Sequence, residues 1–120
     1  MDQIARAKGL LLVAMEVEPA HEAEFNRWYD EEHVPERLSH PGILTGRRFR
    51  SVQGAPKYLA LYDLESPEVL DTPEYQAIYA PSAWRNRISD HFTVVNRAIY
   101  SEITAPVSSD YIESLVVPRP

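Results

Sequence analysis

Leu10-Leu11-Leu12-Val13-Ala14-Met15-Glu16-Val17, followed at once by Glu18 and Pro19, is the stretch that decides the fold of this chain. It is nearly all apolar, too short to cross a bilayer, and ends in acidic residues and a proline, so it reads as a buried first strand, β1. Proline suits the first turn of a helix, where its missing N–H leaves no hydrogen bond unmade, so a helix is expected over Ala20 to His33. Pro35 must kink or restart that helix, because it removes a bond and disfavours helical geometry at Val34. Pro35 to Leu38 allows one more turn, and His40-Pro41-Gly42 ends it.

Beyond this come Ile43 to Val52 and Lys57 to Leu64, two strands joined by a Gln53-Gly54-Ala55-Pro56 turn. Ser66-Pro67-Glu68 and Thr72-Pro73-Glu74 each place a capping hydroxyl, an N1 proline and an acid at a helix start. Short helices are predicted over Pro67 to Asp71, Pro73 to Ala80 and Pro81 to Ser89. His91 to Ile103, rich in Val, Ile, Thr and Tyr, is the last strand. The order β-α-β-β-α-β is the ferredoxin-like split pattern: an α+β domain with an antiparallel sheet, spanning residues 1–105. Residues 106–120 read as a loose tail or as an arm lying on a partner subunit.

The first strand also predicts a partner. Leu11, Val13, Met15 and Val17 alternate with Leu10, Leu12 and Ala14, so both faces of the sheet are apolar while helices cover only one. Two sheets packed face to face would remove that exposed surface, which implies a homodimer.

Composition narrows the function. The 120 residues, 44% hydrophobic and 25% charged, suit one soluble globular domain. The absence of cysteine excludes disulfides, thiolate zinc sites and thiol nucleophiles, and fits a cytoplasmic location. The N-terminal residues do not resemble a signal peptide, and no apolar run is long enough to span a membrane. A net charge of −6 argues against nucleic acid as a partner; the Arg47, Arg48, Arg50 cluster reads as a solvated or ion-paired strand.

The chemistry is expected where the first helix ends. At about 100° per residue, Phe25, Trp28, Tyr29 and Glu32 share one face with His33 at its edge. A carboxylate among three aromatics is costly to bury unless it has a partner. One reading makes this the wall of a pocket, with His33 or Glu32 handling protons near neutral pH. The other makes the rings core and leaves Glu32 bonded to an arginine. The split topology brings His33 towards Thr45 to Arg48, Tyr62, Asp63 and Tyr100. A four-residue turn would set Arg47 opposite Tyr62 and Phe49 opposite Ala60, with Arg47, Phe49, Tyr58 and Tyr62 on one face. A slip of one residue would exchange Arg47 for Arg48. His91 falls at the opposite end of the sheet, which disfavours a histidine metal pair, and no metal or cofactor is expected. His21 and His40 read as solvated positions, and Tyr75, Tyr79 and Trp84 as helix packing.

Asn26-Arg27-Trp28-Tyr29-Asp30-Glu31-Glu32-His33-Val34-Pro35-Glu36-Arg37-Leu38, with Pro41-Gly42, Gly46-Arg47-Arg48-Phe49 and Ala55 to Tyr62, resembles the dimeric α+β-barrel superfamily. The resemblance is to its EthD-like branch and runs from about Leu10 to Ile103. It implies a pocket between sheet and helices in each subunit, with a histidine at the position of His33. It does not extend to a haem site. The function expected is a cofactor-free enzyme doing proton-transfer chemistry on an aromatic or cyclic metabolite, of isomerase, cyclase, dehydratase or decarboxylase type. His33 and Glu32 would be catalytic, and Trp28, Tyr29, Arg47 or Arg48, Tyr58 and Tyr62 would bind substrate. The alternatives are a non-catalytic binding protein for a hydrophobic metabolite, or a cofactor-independent monooxygenase.

Overall fold

The computed structural model describes residues 8–78, 82–105 and 107. The expected tail and Tyr79 therefore lie outside the described residues. Strand β1 (Gly9–Val17) leads through a 3₁₀ turn (Pro19–His21) into helix α1 (Glu22–Trp28). A π-helical turn (Tyr29–His33) and helix α2 (Val34–Leu38) continue it. Then come β2 (Ile43–Arg50), β3 (Tyr58–Leu64), a 3₁₀ segment (Pro67–Asp71), α3 (Pro73–Ile78), α4 (Ala83–Ser89) and β4 (Phe92–Ser101). The sheet is antiparallel with order β2-β3-β1-β4, as the ferredoxin-like pattern requires. Leu11, Val13, Met15 and Val17 alternate inward and meet Phe25, Trp28 and Tyr29 of the first helical run in one core. Of the capping hydroxyls expected, Thr72 accepts from the Tyr75 amide at 3.2 Å, whereas Ser66 makes no side-chain cap.

Pro35 does not break the first helix. Its ring would clash with the carbonyl one α-turn back. The chain instead widens over Tyr29–His33, where the Val34 amide reaches the Tyr29 carbonyl, and α2 starts with the proline in its first turn. Such single wide turns recur at functional sites.

The hairpin register differs from the expectation by one residue. Gly46 faces Tyr62, Arg48 faces Ala60 and Arg50 faces Tyr58, while Arg47 faces Leu61 and Phe49 faces Leu59. The cause is the connection, which spans residues 51–57 instead of four residues. Ser51 N–H bonds Lys57 O at 2.8 Å, and Gly54 turns through a φ of 95°. An odd number of loop residues shifts every pair by one, and with period two this moves each side chain to the other face. Arg48 therefore lies on the helix side with Tyr58 and Tyr62. Arg47 and Phe49 lie on the open side with Leu59 and Leu61.

That open face carries half-buried Leu10, Leu12, Leu59 and Leu61, with exposed Phe49, Val94 and Tyr100 around them. Tyr100 pairs with Leu10 and so points away from the helices.

Candidate functional site

The site is built from the π-helical turn outward. In an α-helix, residues five apart diverge by about 140°. The wider turn brings His33 back over Trp28, and the two rings stack with centroids 4.5 Å apart and planes 23° from parallel. Tyr29 meets the same imidazole edge-on at 4.9 Å. His33 is only 6% exposed, and its Nδ1 has no hydrogen-bond partner among the described residues. Burial, reinforced by the positive charges of Arg37, Arg85 and Arg48, lowers its pKa to about 3. The ring is therefore neutral at pH 7, with one nitrogen a donor and the other an acceptor.

Tyr62 reaches the same region from β3. It is fully buried, its hydroxyl meets no partner at hydrogen-bond geometry among the described residues, and burial pushes its phenol far above the ordinary range while nearby Arg37 opposes that shift. Gly46 makes room for it: a Cβ there would stand 3.1 Å from Val34 Cγ1 and 3.2 Å from the Tyr62 ring. Arg37, four residues after His33 and 2% exposed, donates from Nη1 to the Tyr75 hydroxyl and places its guanidinium over the Tyr75 ring. Buried polar groups are nearly always satisfied, so His33 Nδ1 and Tyr62 Oη, which lack a hydrogen-bond partner among the described residues, are exceptions.

Glu32 does not orient His33. Its Oε2 accepts from Trp28 Nε1 at 2.8 Å and from Ser82 Oγ at 2.6 Å, and Ser82 Oγ in turn caps α4 by accepting from the Arg85 amide at 3.0 Å. The carboxylate thus pins the indole that backs His33 and ties α4 to the wide turn.

Arg48 rises from β2 under α1. It bonds Asp30 Oδ1 at 2.9 Å and Asn26 Oδ1 at 2.7 Å, and lies 4.5 Å from the centre of the Tyr29 ring. Tyr58 sits further along the same face, its hydroxyl donating to Glu22 and accepting a hydrogen bond from Asn26 Nδ2 at 3.2 Å. Asn26, Arg48, Phe49, Arg50 and Tyr58 line a shallow groove there. Arg47 is elsewhere: its side chain is 47% exposed on the open face, 3.9 Å from Asp63.

His33, Trp28 and Tyr29 are thus brought together, with Glu32 behind Trp28, Arg48 beside Tyr29, and Tyr62 near Tyr29, Arg37 and Val34. Arg37, Tyr75 and Ser82 were missed by sequence reasoning. The four-residue step from His33 to Arg37 was a usable signal on a continuing helix. Nothing in the local sequence points to Tyr75 or Ser82. Tyr75 is core, as expected, yet its hydroxyl serves Arg37. His40 is not solvated: it is buried, accepts the Gly42 amide at 2.9 Å and lies 3.1 Å from Thr72 Oγ1. His91 stacks on His21 at 3.4 Å and contacts Glu18, so neither joins His33. Among the described residues, no group of three or more His, Asp or Glu is arranged to hold a metal ion.

This sheet order, with one helical run packed across it and a polar cluster beneath the run, defines a ferredoxin-like α+β fold. Residues 9–105 match the Domain of unknown function (DUF4286), and the chain belongs to that family. No curated protein matches it in sequence. A dimeric ferredoxin-like protein from an uncultured marine organism superposes with a TM-score of 0.67 at 15% identity, over 88% of this chain and 96% of that one. A monooxygenase from the ActVA-Orf6 gene of Streptomyces coelicolor, in complex with Nanaomycin D, gives 0.65 at 15%, over 87% and 95%. An ethyl tert-butyl ether D (EthD) family protein from Bacillus halodurans gives 0.54 at 19%, over 79% and 99%, in line with the resemblance drawn from the helix signature. At these identities the likeness concerns the fold.

Proposed function

We propose that this protein is a small-molecule enzyme that binds an aromatic or cyclic metabolite between the first helical run and the sheet. Its reaction class is proton transfer at or beside an oxygen-bearing carbon, with no cofactor invoked. The observation that carries this reading is the buried, neutral His33 ring, held between Trp28 and Tyr29 with Nδ1 unsatisfied. A pKa lowered to about 3 makes the free imidazole a weak base, so His33 serves first as a hydrogen-bond partner and takes a proton only as negative charge develops beside it. The charges that depress its pKa would also stabilise a substrate oxyanion, and that oxyanion beside the ring would raise its basicity as the proton moves. Tyr62 can donate to the same oxygen, and Arg37 supplies positive charge. Glu32 holds Trp28 in place, and Arg48 braces Tyr29.

The partner proposed is a second copy of the chain, joined through the open sheet face, where Leu12, Leu59, Leu61 and Phe49 lie together. A dimeric protein of the same fold supports this. Among the described residues no helix is long and apolar enough to cross a membrane, and a cytoplasmic setting without nucleic acid is proposed.

The second reading is a monooxygenase, which the likeness to a monooxygenase carrying Nanaomycin D favours. The test is a panel of hydroxynaphthalenes, hydroxyaromatic acids and lactones, scored by thermal shift and then by product in NMR. Proton-transfer catalysis predicts product formation without oxygen uptake, and a loss of about 100-fold or more in kcat for His33→Ala while Kd changes less than about tenfold. Oxygen consumption stoichiometric with product would establish the monooxygenase reading instead. Binding without any product, with His33→Ala changing affinity alone, would leave a binding protein.

A further inference from the structure

Past Phe92, which packs on Phe25 and Trp28, the edge strand β4 is left largely open on both sides by the described residues. Val95 is 52% exposed and Ile99 43%, and a cleft of about 250 Å³ beside them is lined by Leu70, Asp71, Tyr75, Gln76, Arg97 and Ile99. Packing the sheets face to face would bury Val94 and Tyr100 but leave this cleft bare, because Val95, Arg97 and Ile99 point the other way. An apolar strip on an edge strand calls for a cover.

The chain leaves β4 at the mouth of this cleft. Ser101 pairs with Gly9, the Glu102 amide bonds Lys8 O at 2.9 Å, and Gly9 packs so closely under Pro67 that a Cβ would meet its nitrogen at 2.8 Å. The 3₁₀ segment that starts at Pro67 supplies Leu70 and Asp71, one wall of the cleft. Residues 102–107 are enough to reverse direction, and residues 108–120 can reach roughly 40 Å when extended, at about 3.3 Å per residue. That segment holds Tyr111, Ile112, Leu115, Val116 and Val117, with Asp110 and Glu113 among them. Arg97, which makes no ion pair among the described residues, offers those acids a counter-charge.

We propose that residues 108–120 dock along the helix side of β4 in the same subunit, with apolar side chains over Ile99 and Leu70 and an acid facing Arg97. The docked segment backs Tyr75, whose hydroxyl holds Arg37, so it braces the candidate site from outside without entering it.

The chain has no cysteine, which allows a direct test in the full-length protein. Ile99→Cys is paired in turn with Ile112→Cys, Leu115→Cys and Val117→Cys and oxidised with copper phenanthroline. The control pair is Val52→Cys with Leu115→Cys, since Val52 is fully exposed on the hairpin at the opposite end of the sheet. Docking raises the effective concentration of the paired thiols, so at least one Ile99 pair should close as an intramolecular disulfide about tenfold faster than the control. Closure at the control rate, or disulfides only between subunits, would overturn the proposal. Should the cysteine variants fail to fold, the Leu115→Asp, Val116→Asp double variant reads the same contact. Fluorescence of 8-anilinonaphthalene-1-sulfonate should rise at least about twofold, and unchanged emission would count against docking.

Discussion

The imidazole of His33 lies nearly flat against the indole of Trp28, although five residues separate them and an α-helix would turn them apart. The wide turn at Tyr29–His33 makes the stack possible, and it lets Pro35 sit in the first turn of the helix that follows. The imidazole is thereby moved from the edge of the helix into the core.

Burying that ring has a pH signature. The folded-state pKa of about 3 lies below the ordinary histidine value, so the unfolded chain takes up a proton that the native state refuses. Stability from this group is complete above about pH 7 and is lost as pH falls from roughly 6.5 towards 3. Urea unfolding at pH 7, 5.5 and 4.5 should show the native protein losing up to about 1.4 kcal/mol per pH unit more than His33→Gln. Parallel slopes for the two proteins would refute a neutral buried imidazole.

Glu32 should behave as a clamp. Replacing it by Leu strands the Trp28 N–H and the Ser82 hydroxyl, and we expect a loss of about 1–3 kcal/mol. Glu32→Gln keeps an acceptor for the indole and should recover most of that. Chemical denaturation of both variants checks it, and a stabilised Glu32→Leu protein would show that the carboxylate is simply a misplaced charge.

The hairpin register can be tested with two neighbouring arginines. Arg48→Ala removes bonds to Asp30 and Asn26 and the contact with Tyr29, and should cost about 1–3 kcal/mol. Arg47→Ala, on the open face, should stay within about 0.5 kcal/mol at fixed oligomeric state. Comparable losses from both would contradict the register found here.

Gly46→Ala should destabilise by about 1–2 kcal/mol, because the added methyl meets Val34 and the fully buried Tyr62 ring at 3.1–3.3 Å. Thermal melts of the variant would reveal it. An unchanged Tm would mean that Tyr62 has room to move and does not hold a defined position in the site.

Much of this was legible along the chain, because the signals are local. The apolar run of β1, the Pro-Glu helix starts and the β-branched last strand act within a few residues, and their order alone specifies a split β-α-β-β-α-β topology. The aromatic wall of Phe25, Trp28 and Tyr29 follows from helical period in the same way. Topology also brought Tyr62 and the Arg47–Arg48 pair towards the end of the first helix. Whether Arg47 or Arg48 enters the site was not legible, since it turns on the parity of a loop.

The sequence by itself determined the element order and the aromatic face of the first helix, and it marked His33 as the residue to watch. The tertiary structure decided what those residues touch. A proline four residues beyond Glu31 could have ended the helix or widened it, and packing against the sheet decided for the wide turn, which sets His33 on Trp28. Arg37 meets Tyr75 across 38 positions, and Glu32 meets Ser82 across 50. Such bonds depend on where two distant segments come to rest, which no local propensity encodes.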